Sequence, residues 1–228
     1  MSNLDDALQL LKAHAQPGKL AGMQQYGMAV QDRLGLSMPD MRRIAKQLGR
    51  DHDLALALWG TGLADARIVA SIIADPEAVD SALMDAWVLD FNSWDVCDQV
   101  CDNLFEKTVL AWQKVGEWSL REEEFVRRAA YALLACLAWH DKHASDAQFT
   151  AQFPVIYRGA TDRRNYVKKA VSWALRNIGK RNPALNAATI RQAQEIQQID
   201  SPAARWIASD VLRELQGEAV QLRLHRRG

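Results

Sequence analysis

Lys169-Ala170-Val171-Ser172-Trp173-Ala174-Leu175-Arg176 is one copy of a pattern that occurs four times in the chain. The other copies are Ala66-Arg67-Ile68-Val69-Ala70-Ser71-Ile72-Ile73-Ala74, Arg128-Ala129-Ala130-Tyr131-Ala132-Leu133-Leu134-Ala135-Cys136 and Arg205-Trp206-Ile207-Ala208-Ser209-Asp210-Val211-Leu212-Arg213. Each carries a cation at its start and continues with small and branched apolar residues. Trp94-Asp95-Val96-Cys97-Asp98-Gln99-Val100-Cys101 falls between the first two copies. Corresponding positions recur at about 30 to 40 residues, the period of a helix pair in HEAT-type arrays. A helix this apolar cannot stand alone in water, so neighbouring repeats must stack and bury it. The expected fold is all-α: an α-α superhelix or solenoid of HEAT-like repeats whose second helices line a concave binding face. An irregular helical bundle with accidental similarity is the alternative.

Punctuation along the chain agrees. Ser37 and Pro39 mark a helix start and Gly49 its stop; Asp75-Pro76, Asn182-Pro183 and Ser201-Pro202 repeat the pairing of a polar cap with proline in the first turn. No run sustains the period-two alternation of a half-buried strand. With 228 residues, the chain is expected to form a single repeat domain, 1–228, with 220–228 as a flexible basic tail.

Composition excludes several classes. Hydrophobic residues make up 49% and charged residues 25%, ordinary for a globular chain. Met1 to Leu11 carries Asp5 and Asp6 and lacks the basic and apolar regions of a secretory signal. No apolar run is long enough for a membrane helix. Three cysteines, all in helical contexts, argue for a reducing compartment. A cytoplasmic protein with no membrane contact is expected, and a monomer. No phosphate-binding loop, dinucleotide fingerprint or Ser-His-Asp pattern occurs, and no cofactor is implied. Cys97 and Cys101, like Cys136 and His140, are four apart and could together offer a zinc ligand set. Small buried residues at crowded helix interfaces are the simpler reading of the cysteines.

Charge is uneven although it sums to zero, with 28 Lys+Arg against 28 Asp+Glu. Asp75 to Glu106 is rich in carboxylates and contains no Lys or Arg; Arg158 to Arg181 is rich in cations, with Asp162 its one acid. Arg223, Arg226 and Arg227 follow near the end. A basic stretch interleaved with Tyr166 and Trp173 suits phosphate contacts; a solvated helix face is the other reading. Trp94 and Asp98 are four apart, on one face of a helix. Arg128 and Trp173 fall at matching places in later repeats, so stacking would bring them onto successive rungs.

These residues resemble the AlkD-like DNA alkylation repair proteins, which are HEAT-like repeat DNA glycosylases. The resemblance covers nearly the whole chain. Its landmarks are Leu34-Gly35-Leu36-Ser37-Met38-Pro39-Asp40-Met41-Arg42-Arg43, Leu58-Trp59, Ser93-Trp94-Asp95-Val96-Cys97-Asp98, Val126-Arg127-Arg128-Ala129-Ala130, Val167 to Arg176, and Ala204-Arg205-Trp206-Ile207-Ala208. It implies excision of cationic alkylpurines such as 3-methyladenine and 7-methylguanine from duplex DNA, without a metal. It also implies catalytic roles for Trp94, Asp98, Arg128 and Trp173, with Tyr26 near the DNA backbone and Arg176 in the same cleft. Arg127, Lys168, Lys169 and Lys180 complete the expected DNA-contact set. A non-catalytic nucleic-acid-binding repeat protein and a protein-interaction scaffold docked through the acidic block are the competing functions.

Overall fold

The computed structural model describes residues 3–226. Arg227, part of the expected basic tail, lies outside them. Among the described residues every regular element is helical. The chain divides into two compact units, Met1–Ala111 and Trp112–Gly228.

The first unit holds α1 (Leu4–Ala13), α2 (Leu20–Gln25), α3 (Met38–Leu48), α4 (His52–Gly60), α5 (Ala64–Ile73), α6 (Ser81–Leu89) and α7 (Trp94–Asn103). Its core gathers around α5, which packs against α3, α4 and α7. Ala66, Ile68, Val69, Ala70 and Ile73 of α5 are all buried, because the repeat copy that forms it is apolar apart from Arg67 and Ser71. Trp59 of α4 stacks on Trp87 of α6, with ring centroids 3.9 Å apart and planes 3° from parallel. The Arg67 guanidinium lies 5.1 Å from the Trp59 ring and bonds to Asp90, which also accepts the Trp59 indole N–H at 2.7 Å. The cation that opens this repeat copy is therefore held by both an aromatic face and a carboxylate.

α8 (Ala111–Ser119) begins at the boundary of the two units. The second unit continues with α9 (Glu124–His140), α10 (Asp146–Thr150), α11 (Phe153–Gly159), α12 (Asn165–Gly179), α13 (Pro183–Gln197), α14 (Pro202–Leu215) and α15 (Glu218–His225). α12 is central and packs against α9, α13 and α14. The repeated segments of the sequence thus form α5, α9, α12 and α14, with the fifth, divergent copy forming α7. Within each unit they stack on one another as the helix-pair period requires.

Most of the expected boundaries hold. Ser37 accepts the Asp40 N–H at the start of α3, and Gly49 ends it at φ 74°. Asn182 accepts the Leu185 N–H at 2.8 Å. Asp75-Pro76 opens only a three-residue 3-10 turn, because Val79 is extended and Asp80 caps a new helix, α6. Residues 220–225 are corrected from tail to helix: they belong to α15, where Leu224 is buried and Arg223 donates to the Lys180 carbonyl. Its apolar residues, Ala219, Val220, Leu222 and Leu224, are spread around the helix and not gathered on one face, so no periodicity announced it. Cys97, Cys101 and Cys136 form no disulfide and are all buried in the helical core.

Candidate nucleic-acid interface

In the first unit the candidate residues are set by how the segment from Tyr26 to Ser37 folds onto the start of α7. Ser93 occupies the N-cap, yet its hydroxyl does not cap the helix. It accepts the Ala29 N–H at 3.0 Å and donates to Asp95. Arg33 closes the arrangement with a two-pronged pair to Asp95, at 2.7 and 3.0 Å, while its Nε donates to the Ala29 carbonyl. The Arg33 side chain is 2% exposed. Further along, the buried Asp65 carboxylate accepts the backbone N–H groups of Leu34 and Leu36 at 2.7 and 2.8 Å. Gly35 makes the turn possible: its φ is +81°, and a Cβ there would lie 2.5 Å from the Gln16 carbonyl oxygen.

The Trp94 indole N–H donates to the Tyr26 carbonyl at 3.1 Å, at the mouth of this clamp. Trp94 is half-buried and the Tyr26 side chain is 77% exposed. Asp98 follows one turn along α7, also half-buried, while Cys97 and Cys101 turn into the core. A ring edge fixed to a main-chain carbonyl cannot swing freely, so Trp94 offers a face of defined orientation beside the Asp98 position.

In the second unit Lys169, Trp173, Arg176 and Lys180 form one stripe along α12, at spacings of four, three and four. Opposite them, Val167, Ala170, Val171, Ala174, Leu175 and Ile178 are buried. Lys169 is exposed and Trp173 half-buried. Arg176 and Lys180 share Glu214 of α14, each at 2.7 Å. Burial would raise the Glu214 pKa, but bonds from Lys180 and Arg176 outweigh it and hold the carboxyl below its ordinary value. Lys168 places its ammonium 4.5 Å from the Trp206 ring centroid.

α9 supplies the two remaining arginines. Arg127 pairs at 3.0 Å with Asp162, which also holds Arg164. The same balance operates there: burial pushes the Asp162 pKa up, and the arginine bonds bring it below the usual value. Arg128 is 5% exposed and donates to the Tyr166 carbonyl at 2.7 Å. It secures the first turn of α12 to α9, a position more interior than a surface phosphate clamp needs.

Against this geometry, the sequence profile of the DNA alkylation repair enzyme family matches residues 7–216. The chain belongs to this family. Among solved structures it is similar to a protein described as related to the HEAT-like repeat DNA glycosylases, with affinity for branched DNA structures. The TM-score is 0.77 at 19% identity, over 94% of this chain and 96% of that one. The shared fold is the HEAT-like repeat fold, as the repeat period indicated. An engineered protein aligns at TM-score 0.42 and 16% identity, over 93% and 91%. A designed armadillo repeat protein in complex with a peptide aligns at 0.39 and 12%, over 82% and 80%. A search of curated proteins finds no match. Among the described residues, no helix of this family member is long and apolar enough to cross a membrane.

Of the expected site residues, Tyr26 and Trp94 are joined by a hydrogen bond, with Asp98 on the next turn of the same helix. Lys168, Lys169, Trp173 and Arg176 share α12, with Lys180 at its C-cap, and Arg127 and Arg128 share α9. Sequence reasoning missed Arg33, Asp65 and Asp95, which build the clamp beneath Tyr26 and Trp94. The available signal was Asp65, a carboxylate directly before the largely apolar repeat copy that begins at Ala66. It needs buried donors, and the nearest unsatisfied N–H groups belong to a loop.

Proposed function

We propose that this protein hydrolyses the N-glycosidic bond of positively charged alkylated purines, such as 3-methyladenine and 7-methylguanine, in duplex DNA. The observation that carries the reading is the pairing of a fixed Trp94 ring with the Asp98 carboxylate one turn on, in a member of a DNA alkylation repair family.

The chemistry follows from the substrate. A cationic purine is already a good leaving group. The bond from C1′ to the purine nitrogen breaks, its electron pair neutralises the base, and positive charge develops on the deoxyribose. The Asp98 carboxylate stabilises that oxocarbenium ion, orients a water toward C1′ and accepts its proton. The face of Trp94 attracts the cationic sugar, and Trp173 is the aromatic face that the second unit offers to DNA. Arg128 acts by fixing α12, and so Trp173, through the Tyr166 carbonyl. Tyr26, Arg127, Lys168, Lys169, Arg176 and Lys180 contact the DNA backbone, the last two from guanidinium and ammonium groups shared with Glu214.

Incubating the protein with duplex DNA containing 7-methylguanine should release the free base and leave an abasic site. Asp98→Asn should lower the rate about a hundredfold or more with the helical circular dichroism unchanged. An unaltered rate would remove Asp98 from the mechanism.

A second reading is a DNA-binding relative without hydrolysis. It is favoured by the solved structure of similar fold, whose family has affinity for branched DNA structures, and by the carboxylates that already occupy Arg127, Arg176 and Lys180. Tighter binding of a four-way junction than of duplex, with no base released from either, would select it.

A further inference from the structure

Four cations line one cavity of the second unit, of ≈ 260 Å³, and no carboxylate is among the described residues of its walls. They are Lys142, Lys180, Arg181 and Arg223, with Trp139 and Asn182 beside them. The cavity lies where α9 and α12 end, α13 begins and α15 passes over.

Part of this charge has a local use. The last carbonyls of a helix need donors. Arg181 donates to the Ala138 and Ala144 carbonyls at 2.8 and 3.3 Å, Arg223 to Lys180 at 3.3 Å, and Lys142 to Trp139. Lys180 is also neutralised by Glu214. That use does not exhaust the site. Among the described residues, Lys142 and Arg223 bond to main-chain carbonyls and to no carboxylate, so their full charges remain. The Nε atoms of Arg181 and Arg223 are buried without a hydrogen-bond partner. Burial holds the Arg181 pKa below its ordinary value, against the pull of Asp141 and Asp146. A group in that position gains most from an added anion.

Trp139 supplies the second element. It is 51% exposed at the rim, and the Lys142 ammonium sits 5.9 Å from its ring centroid. A large aromatic surface open to solvent beside unneutralised cations matches a nucleotide: phosphate on the guanidinium groups, base on the ring. The cavity is slightly smaller than pockets that enclose a whole small molecule. It suits one phosphate, with the rest of the nucleotide outside.

We propose that this pocket binds a phosphate of a single-stranded DNA segment through Arg181, Arg223 and Lys142, with the adjacent unpaired base stacked on Trp139. The inference rests on the reading that the chain acts on DNA, but not on base release.

The test is fluorescence anisotropy of a labelled oligothymidylate with the full chain, repeated over a range of salt. Oligothymidylate contains no purine, so failure of the glycosylase reading leaves this measurement intact. Lys142→Gln/Arg223→Gln should weaken binding about tenfold and flatten the slope of log affinity against log salt by roughly 1.4, for two lost contacts. Trp139→Ala should weaken binding about tenfold without changing the slope. The charge-preserving Lys142→Arg/Arg223→Lys variant should retain most affinity, which separates charge from folding. Inorganic phosphate and thymidine monophosphate are titrated in parallel. If they bind and the double variant abolishes this while oligothymidylate affinity stays the same, the pocket serves a small phosphate compound and the DNA assignment falls. If no probe distinguishes the variants from the parent chain, the pocket is not an anion site.

Discussion

One ion pair in the first unit and one ion network in the second hold their arginines in opposite ways. In the first, Arg33 is sealed inside, with its partner Asp95 12% exposed, and the pair fastens a loop to the start of α7. In the second, Arg176 and Lys180 meet Glu214 at side-chain exposures of 28%, 19% and 31%. A sealed pair is bound to its architecture, because neither charge can be left behind in a dry interior. A half-solvated pair can separate at small cost and offer its cation to another anion. The first unit therefore uses charge to build a rigid platform under Tyr26 and Trp94. The second keeps cations that a phosphate can recruit by competing with a carboxylate.

The largest expected effect breaks that contrast directly. Arg33→Met should lower stability by about 3–5 kcal/mol in urea unfolding, since Asp95 is then buried without its cation. Arg176→Met should cost at most about 1 kcal/mol. Equal losses would mean that the two pairs do the same work.

An intermediate effect concerns packing in the second unit. A Cβ on Gly159 would sit 2.0 Å from the Tyr131 hydroxyl oxygen, and burial has pushed that phenol pKa up to about 12. Gly159→Ala should cost about 1–3 kcal/mol by thermal melting. Adding Tyr131→Phe should restore part of the loss. Failure to restore any would place the strain elsewhere than at the hydroxyl.

The smallest effect is on acid stability. Asp162 and Glu214 both titrate below their ordinary values of 3.8 and 4.5 when folded. Each binds its proton more tightly unfolded than folded. Their stabilising effect is complete above those values and is lost as pH falls below them. Urea midpoints measured down through that range should fall less steeply in Arg176→Met/Lys180→Met than in the parent chain. The Glu214 side chain keeps 31% of its surface in solvent, so its pair is partly screened and the difference should be slight.

The helical repeat was legible because burial in a stacked helix writes itself into the spacing of Ala, Val, Ile and Leu. The α12 stripe was legible for the same reason, through Lys169, Trp173, Arg176 and Lys180. The clamp was not. Its bonds run from Arg33 to Asp95 and from Asp65 to Leu34 and Leu36, and nothing in the local pattern of either end announces the other. Arg128 shows a second limit. Its place in the repeat was readable, but its 5% exposure depends on the return of α12 to cover it with Tyr166. The basic cavity shows a third, since Lys142, Arg181 and Arg223 come together only through the folding of three separated helix ends.

Gly35 carries a consequence for heredity. Its backbone sits at φ +81° with the Gln16 carbonyl where a side chain would start, in the segment that carries both Tyr26 and Arg33. Any single-base change in its codon that alters the residue introduces a side chain, or ends the chain. Each would lift the loop, and with it the orientation of a ring many residues away at position 94. A lineage carrying such a change could keep every residue of the proposed site and still lose the site.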